Sequence, residues 1–259
     1  MSAMLQLSGV SKRFGGLKAV NEVSFSVEAG EIFSLIGPNG AGKTTLFNLI
    51  SAIFKPSGGS IRFEGEDITG RPTYALARLG IARTFQNLAV FKHESVVNNL
   101  LVGLHTHLGA NPLSALAFWG PARREEIRAR ERVEEIIEFL EIEDIRDLPV
   151  GTLSYGLQKR VELGRALAID PKLLLLDEMV SGMNQEERED IARFILDLKE
   201  QLGVTIMMVE HDMGIVMDIS DRVCVMNHGL KIAEGAPAVV AADPAVIEAY
   251  LGTRREGRA

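Results

Sequence analysis

The sequence predicts an α/β protein in which parallel strands are covered by helices, with an antiparallel part at the start and inserted helices. A glycine-rich loop at residues 37–44 stands between an apolar strand and a helix. Short apolar runs at 173–176 and 204–209 alternate with helical patterns, which is typical of parallel strands with crossover helices. Between these two α/β parts, residues 91–140 follow a helical period, which predicts the insertion.

The other elements are read from alternation, turn residues and helix punctuation. Alternating apolar and polar residues over the first thirty positions predict an antiparallel start. The expected later elements, in chain order, are a helix over 45–53, a strand at 60–63, a short helix opening at Pro72, a strand at 81–85, a helix over 185–201, a hairpin of strands 223–226 and 230–233, and a last helix begun by Asp243-Pro244 and ended by Gly252.

Composition bounds the class of protein. Of the 259 residues, 46% are hydrophobic, which is ample for a core. No apolar run approaches the ~20 residues that cross a bilayer, so the sequence predicts a soluble protein that stays inside the cell. The net charge of −7 argues against non-specific binding to nucleic acid or to anionic membranes. The single cysteine, Cys224, lies in an apolar strand pattern and is expected in the core.

The loop at 37–44 fills every position of the phosphate-binding pattern G-x-x-x-x-G-K-[ST]. Glycines let several backbone N–H groups face one anion, and the dipole of the following helix adds partial positive charge there. Lys43 is expected to reach the terminal phosphates, and Thr44 offers a hydroxyl to Mg²⁺, which prefers oxygen ligands. The loop therefore predicts a site for a nucleoside triphosphate.

Two acidic residues follow the apolar strand at 173–176. A parallel strand beside the phosphate loop would deliver Asp177 and Glu178 to the same sheet edge, where Asp177 would hold Mg²⁺ and Glu178 would orient or deprotonate an attacking water. A plain surface turn is the alternative interpretation of two adjacent acids. The presence of the phosphate loop favours the catalytic one.

The strands and helices next to three further polar residues predict where those residues lie relative to the nucleotide site. His211 follows the strand at 204–209 and would lie at the same sheet edge, within reach of the γ-phosphate. Gln86 follows a strand and opens the helical insertion, so its amide could report the state of the phosphate or metal. Ser154 is predicted to cap a helix, whose N-terminus would be a second anion site. A second anion site beside one phosphate loop suggests that two chains share nucleotides.

The stretch 113–119 contains the only tryptophan and has little polarity. Two interpretations stay open: it docks a partner, or it is the buried cap of the helical insertion.

Together these residues resemble the ATP-binding subunit of ABC transporters over essentially the whole chain. In the family's order, 37–44 resembles the Walker A loop, Gln86 the Q-loop, 153–158 the signature, 173–178 the Walker B strand, 181–184 the D-loop, and His211 the switch histidine. The resemblance implies a P-loop (RecA-like) core with an antiparallel β subdomain over 1–88 and 160–259, and a helical subdomain over 89–159 that carries the signature, all in one domain over 1–259.

The resemblance also implies site residues and partners. ATP and Mg²⁺ are the expected ligands, and two such subunits are expected to close head to tail on two ATP molecules. The implied catalytic residues are Glu178, His211, Lys43 and Gln86, and the implied metal ligands are Thr44, Gln86 and Asp177. The implied nucleotide contacts are Phe14, Val20, Gly37, Pro38, Asn39, Gly40, Ala41, Gly42, Lys43, Thr44, Thr45 and, from the other subunit, Ser154 and Gly156. For Phe14, core packing is the alternative to stacking on adenine.

A finer resemblance is to the LivG-type subunit of branched-chain amino acid importers, carried by the segments 14–20, 82–86, 209–213 and 249–252. It implies a peripheral position on the cytoplasmic face of the membrane, permease subunits as partners and, indirectly, an extracytoplasmic substrate-binding protein, with no nucleic acid. Related systems that import urea or amides, or extract lipopolysaccharide, and a soluble ABC-type ATPase are the alternatives. The sequence departs from the family pattern at Tyr155, Leu157, Met179 and Asn184.

Overall fold

Two sheets packed with helices make up this computed structural model, which describes residues 3–84, 89–104 and 121–251. The strands are β1 (Ala3–Phe14), β2 (Leu17–Glu28), β3 (Ile32–Ile36), β4 (Gly58–Phe63), β5 (Glu66–Asp67), β6 (Ile81–Arg83), β7 (Leu173–Asp177), β8 (Thr205–Val209), β9 (Arg222–Asn227) and β10 (Leu230–Gly235). The helices are α1 (Lys43–Ile50), α2 (Thr73–Arg78), α3 (Val96–Gly103), α4 (Pro121–Phe139), α5 (Tyr155–Leu167), α6 (Gln185–Leu202), α7 (Met213–Ile219), α8 (Pro237–Ala241) and α9 (Pro244–Leu251).

The central sheet has the strand order β10-β9-β3-β8-β7-β6, and all neighbouring pairs except β10 with β9 are parallel. Every residue of β3, β7 and β8 is buried. Parallel strands buried on both faces read as continuous apolar runs, because no side chain points to water. The predicted α/β sheet is confirmed.

The two faces of the central sheet contribute side chains to two separate hydrophobic cores. Alternate residues of a strand point to opposite faces. Leu174 and Leu176 accordingly join the cluster formed with α3 to α9, whereas Leu173 and Leu175 join the cluster formed with α1 and the antiparallel sheet. The central sheet is therefore the middle layer of a three-layer structure.

The antiparallel sheet has the order β2-β1-β4-β5 and covers one face of the central sheet. Its contact with the central sheet includes a stacked aromatic pair, Phe25 of β2 and Phe33 of β3, whose ring centroids lie 5.0 Å apart. The antiparallel start that the sequence predicts is confirmed.

The helical part packs through a close approach at Gly164 of α5. A Cβ atom there would lie 2.6 Å from Cδ2 of Leu100 on α3 and 3.0 Å from Cδ1 of Leu140, so the absence of a side chain lets these elements meet. Helix α5 runs through position 159, where the sequence-based division between helical subdomain and core was drawn. Those subdomain boundaries stay a prediction.

Several predicted element ends differ from the structure. The helix after the glycine loop ends at Ile50 rather than Ile53, because Ala52 takes a left-handed φ of 58° and turns the chain out of the helix. The strand predicted over 81–85 is seen over Ile81–Arg83. The hairpin of β9 and β10 is confirmed, and its turn residues His228 and Gly229 both have positive φ, as a tight hairpin requires.

Some predictions fall on residues outside the described ranges. Gln86, the stretch 113–119 and Gly252 are among them. Within the described ranges, none of the helices combines the length and apolarity that crossing a membrane requires.

The bulge between β1 and β4 offers a test of backbone crowding. Gly59 and Gly65 both have a φ of +81°, but a Cβ at Gly59 would lie 2.4 Å from backbone atoms of Gly9, whereas nothing lies within 4 Å of one at Gly65. We expect Gly65→Ala to lower the free energy of unfolding by about 1 kcal/mol, the cost of left-handed backbone. Gly59→Ala should cost about 1–3 kcal/mol more. Urea denaturation measures both, and equal losses would contradict the predicted clash.

Cys224 on β9 is fully buried, and burial raises the pKa of its thiol to about 12. Because the thiolate is the reactive form, we expect a small thiol reagent at pH 8 to leave the native chain unlabelled. In denaturing urea it should modify one thiol per chain, since the sequence has a single cysteine. Rapid labelling of a chain whose circular dichroism stays native would contradict the buried position.

Candidate nucleotide site

The glycine loop connects β3 to α1 and lies tightly against two neighbouring strands. Gly37 has a φ of +147°, and a Cβ there would be 2.1 Å from the carbonyl oxygen of Met226 on β9. Gly42 has a φ of +99°, and its Cβ would be 2.4 Å from the carbonyl oxygen of Ala19 on β2. Any side chain at either position would collide with backbone, so the path of the loop requires glycine at both.

Lys43 is the first residue of α1, and only 6% of its surface is exposed. Its Nζ donates to the carbonyl oxygen of Gly37 at 2.6 Å and to that of Pro38 at 3.2 Å. Burial lowers the pKa of the Lys43 ammonium, and the Glu178 carboxylate acts in the opposite direction. The loop therefore curls around a buried cation that faces a carboxylate.

Asp177 ends β7 and is held by an ion pair. Nη2 of Arg83 donates to its Oδ2 at 2.7 Å, and both side chains are buried. Arg83 also donates to Asn48 Oδ1 at 2.7 Å and to Ser51 Oγ at 2.5 Å, which ties Asp177 to α1. The other carboxylate oxygen of Asp177, Oδ1, is buried and has no hydrogen-bond partner among the described residues.

This orphaned oxygen tests whether the residues present fit Mg²⁺. A buried carboxylate oxygen without a donor is costly unless a cation or water satisfies it. Asp177 and the Thr44 hydroxyl are both oxygen donors, the kind that Mg²⁺ prefers. Within 3–84, 89–104 and 121–251 no cluster of three or more His, Cys, Asp or Glu could hold a metal by itself. The buried, unsatisfied carboxylate oxygen of Asp177 is therefore chemically suited to Mg²⁺.

Glu178 and His211 come together at the ends of β7 and β8. Oε1 of Glu178 lies 2.7 Å from Nε2 of His211, which is the contact that parallel pairing of the two strands makes possible. The backbone of Glu178 has a left-handed φ of +50°, and its N–H donates to Val209 at 2.9 Å. A non-glycine residue in this region is strained and is held there by its surroundings.

A cavity of about 440 Å³ opens over the glycine loop and is lined by residues of that loop and by Glu178 and His211. Phe14 lies at one end, 43% exposed, and its ring meets Phe54 edge to face with centroids 5.4 Å apart. The lining residues are Phe14, Leu17, Lys18, Ala19, Asn39, Gly40, Ala41, Gly42, Lys43, Thr44, Thr45, Glu178, His211, His228 and Gly229.

Other predicted nucleotide contacts do not line this cavity. Val20 is fully buried within β2. Gly37 and Pro38 begin the loop, and their carbonyl oxygens accept hydrogen bonds from Nζ of Lys43. Ser154 and Gly156 are also absent from the lining. Their roles, and that of Gln86, stay predictions.

The signature segment begins α5, and Ser154 is its N-cap, as the sequence predicts. The Ser154 hydroxyl accepts from the backbone N–H of Leu157 at 3.3 Å. A Cβ on Gly156 would lie 2.4 Å from Oε1 of Glu187 on α6, so a side chain there would displace that carboxylate. Asn184, which departs from the family's aspartate, forms a capping box with Glu187 at the start of α6.

Sequence reasoning missed Arg83 and Glu210. Arg83 lies in a three-residue strand and within the segment 82–86 that carries the finer resemblance, but the sequence predicts no role at the site for it. Glu210 directly follows β8 with 3% of its surface exposed, and burial raises the pKa of its carboxyl to about 7. The signal for Glu210 was its place between an apolar strand and His211, where a charged residue has no ordinary reason to be buried.

Comparisons with known proteins agree with this geometry. A family profile described as ABC transporter matches residues 20–181, and a second, described as branched-chain amino acid ATP-binding cassette transporter, matches residues 231–256. The chain is 44% identical over 250 residues to the high-affinity branched-chain amino acid transport ATP-binding protein BraF of Pseudomonas aeruginosa, covering 96% of this chain and 98% of that protein.

Two further matches cover nearly the whole chain. LivG of Salmonella typhimurium, a protein with the same description, is 40% identical over 249 residues, which span 96% of this chain and 98% of LivG. The solved structure of an ATP-binding cassette of an ABC transporter in its ADP conformation superposes with a TM-score of 0.85 at 38% identity, over 97% of this chain and 100% of that one. A glycine loop around a buried lysine, a glutamate and a histidine at one sheet edge, and these matches lead to one conclusion: the chain belongs to the ABC transporter family, as an ATP-binding subunit of the kind whose characteristic activity is ATP hydrolysis.

Proposed function

We propose that this chain is the ATPase that powers a membrane importer of branched-chain or other hydrophobic amino acids. The observation that carries the proposal is the identity of 44% to BraF over 96% of the chain. The match of residues 231–256 to the profile for branched-chain amino acid cassettes adds support from the C-terminal part, where the general ABC profile does not reach.

Glu178 is the general base in this proposal. A water molecule between Glu178 and the γ-phosphate would attack phosphorus, its proton would pass to the carboxylate, and the bond to the β–γ bridging oxygen would break with its electron pair leaving on ADP. The contact with His211 at 2.7 Å supports this role, because it fixes the direction of the carboxylate. The cavity shared by Glu178, His211 and Lys43 is consistent with a triphosphate lying between them.

Charge on the transferring phosphate would be stabilised by Lys43 and His211. Lys43 donates its hydrogen bonds to carbonyl oxygens of its own loop. A phosphate oxygen in the cavity would be a stronger acceptor, because that hydrogen bond would be charge-assisted. Phe14 and Val20, with residues 37–45, are the proposed nucleotide contacts.

Asp177, Thr44 and Gln86 are the proposed residues that hold Mg²⁺. The orphaned oxygen of Asp177 supports this assignment. The ion, when bound, would neutralise charge on the phosphates. Arg83 keeps the other oxygen of Asp177 occupied, so the free oxygen has a fixed direction.

We further propose that two ATP-binding subunits close on two ATP molecules. Ser154 and Gly156 begin a helix of thirteen residues but do not line the cavity of their own chain, which supports a role toward a nucleotide held by another subunit. Gln86 and the helical subdomain over 89–159 would pass this closure to permease subunits at the cytoplasmic face of the membrane. The net charge of −7 favours attachment through protein partners over direct binding to anionic lipid. A substrate-binding protein outside the cell would act through the permease.

The first test replaces the proposed base. We expect Glu178→Gln to reduce the ATPase rate at least about 100-fold, because an amide cannot accept the proton of water, while ATP binding remains. Size-exclusion chromatography with ATP should show a dimer that persists. Glu200→Gln, at the exposed end of α6, is the matched control and should hydrolyse ATP at the wild-type rate. Phosphate release at wild-type rate by Glu178→Gln would contradict the assigned base.

The second test addresses the substrate. Cells that lack this chain should lose uptake of labelled leucine, isoleucine and valine, and only the wild-type chain, not Glu178→Gln, should restore it. Urea and a short amide serve as comparison solutes. Loss of urea or amide uptake with normal amino acid uptake would overturn the proposed substrate class, and unaffected uptake of all five would overturn amino acid import altogether.

A further inference from the structure

Glu210 is a buried carboxylate at the carboxyl end of β8 that the proposed mechanism does not use. Its Oε1 accepts from the backbone N–H of Val180 at 3.1 Å. The backbone N–H groups of Met179 and His211 also face the carboxylate and lower its pKa, against the larger effect of burial, which raises it. The three donors belong to the two loops that carry Glu178 and His211.

The position of Glu178 depends on the loop that follows it. Its left-handed backbone is strained, so neighbouring groups must hold it. On one side, the Glu178 N–H is bound by Val209 at 2.9 Å. On the other side, the next two residues, Met179 and Val180, are buried and present their N–H groups to Glu210. The strained residue is therefore fixed from both ends by β8 and the residue that follows it.

We propose that Glu210 is a positioning residue for ATP hydrolysis: its carboxylate joins the backbone after Glu178 to the backbone of His211 and so holds these two side chains in contact. The inference rests on the proposed roles of Glu178 and His211. Glu210 itself lies beneath the loops, is absent from the cavity lining, and acts only through its neighbours.

Glu31 is a second buried carboxylate, and its surroundings differ from those of Glu210. Glu31, 8% exposed, accepts from the backbone N–H of Glu28 at 2.7 Å and pairs with the cation of Arg222 at 3.0 Å. It precedes β3, at the opposite end of the sheet from the glycine loop. Glu210 is instead approached by backbone dipoles and by the negative charge of Glu178, which raises its pKa further. A charge-compensated carboxylate serves stability at Glu31, whereas the same group at Glu210 gathers donors from both catalytic loops.

The experiment compares Glu210→Gln with Glu31→Gln in the full chain. The amide at position 210 keeps one acceptor oxygen but turns an NH2 group toward backbone donors, so the two loops would separate. We expect Glu210→Gln to lower kcat for ATP hydrolysis about 10- to 100-fold, the range typical of residues that orient a reacting group, with KM for ATP within about threefold. Glu31→Gln should lower Tm yet keep kcat. All rates are measured well below each variant's Tm.

Glu210→Asp keeps the test usable if the amide variant fails to fold. Its charge is retained but its oxygens are withdrawn by one methylene, and we expect a kcat between those of wild type and Glu210→Gln. A wild-type kcat in folded Glu210→Gln, or in Glu210→Asp when only that variant folds, overturns the positioning role. Equal loss of kcat in Glu31→Gln overturns it as well, because any buried acid would then have the same effect. Wild-type hydrolysis by Glu178→Gln would instead reject the proposed base and is a separate result.

Discussion

The parallel pairing of β3, β8 and β7 is the constraint on which the site depends. In this register Leu35 lies beside Val209, and Val209 beside Asp177. The residues that leave each strand therefore start from one row: the glycine loop after β3, Glu178 after β7, and Glu210 with His211 after β8. A shift of one residue in any pair would turn side chains to the opposite face and remove the contact between Glu178 and His211.

Several charged side chains lie at this edge of the sheet, and their burial costs free energy unless each charge is compensated. Asp177, Glu178 and Glu210 lie at the carboxyl ends of two adjacent strands, and the cations Arg83 and Lys43 lie among them. Each acid is stabilised differently: Asp177 by an ion pair, Glu178 by contact with His211, and Glu210 by backbone N–H groups. Because these partners differ in kind, being a guanidinium, an imidazole and backbone N–H groups, the three environments differ, and different environments let chemically similar groups take different roles.

The sequence predicted those parts of the site whose residue types are required by backbone geometry. Gly37 and Gly42 would collide with neighbouring strands if they carried a Cβ, so the structure requires glycine at the two positions where the sequence motif has it. The location of Asp177 and Glu178 was predictable because residues at the end of a buried parallel strand must emerge at the carboxyl edge of the sheet. Arg83 and Glu210 were not, because their importance lies in partners from distant segments, Asp177 and Val180, which periodicity cannot identify. The end of α1 was placed three residues late since propensity gives no sign of the left-handed Ala52.

The close approach of Gly156 to Glu187 brings the first turns of α5 and α6 together. The Glu187 carboxylate closes the capping box of α6 and, at the same time, fills the space where a side chain on α5 would stand. The first turns of these two helices are therefore packed against the same carboxylate. Since no space for a side chain is left between them, a shift of the start of α5 toward α6 would displace the carboxylate that caps α6, and the two helix starts are therefore expected to move together.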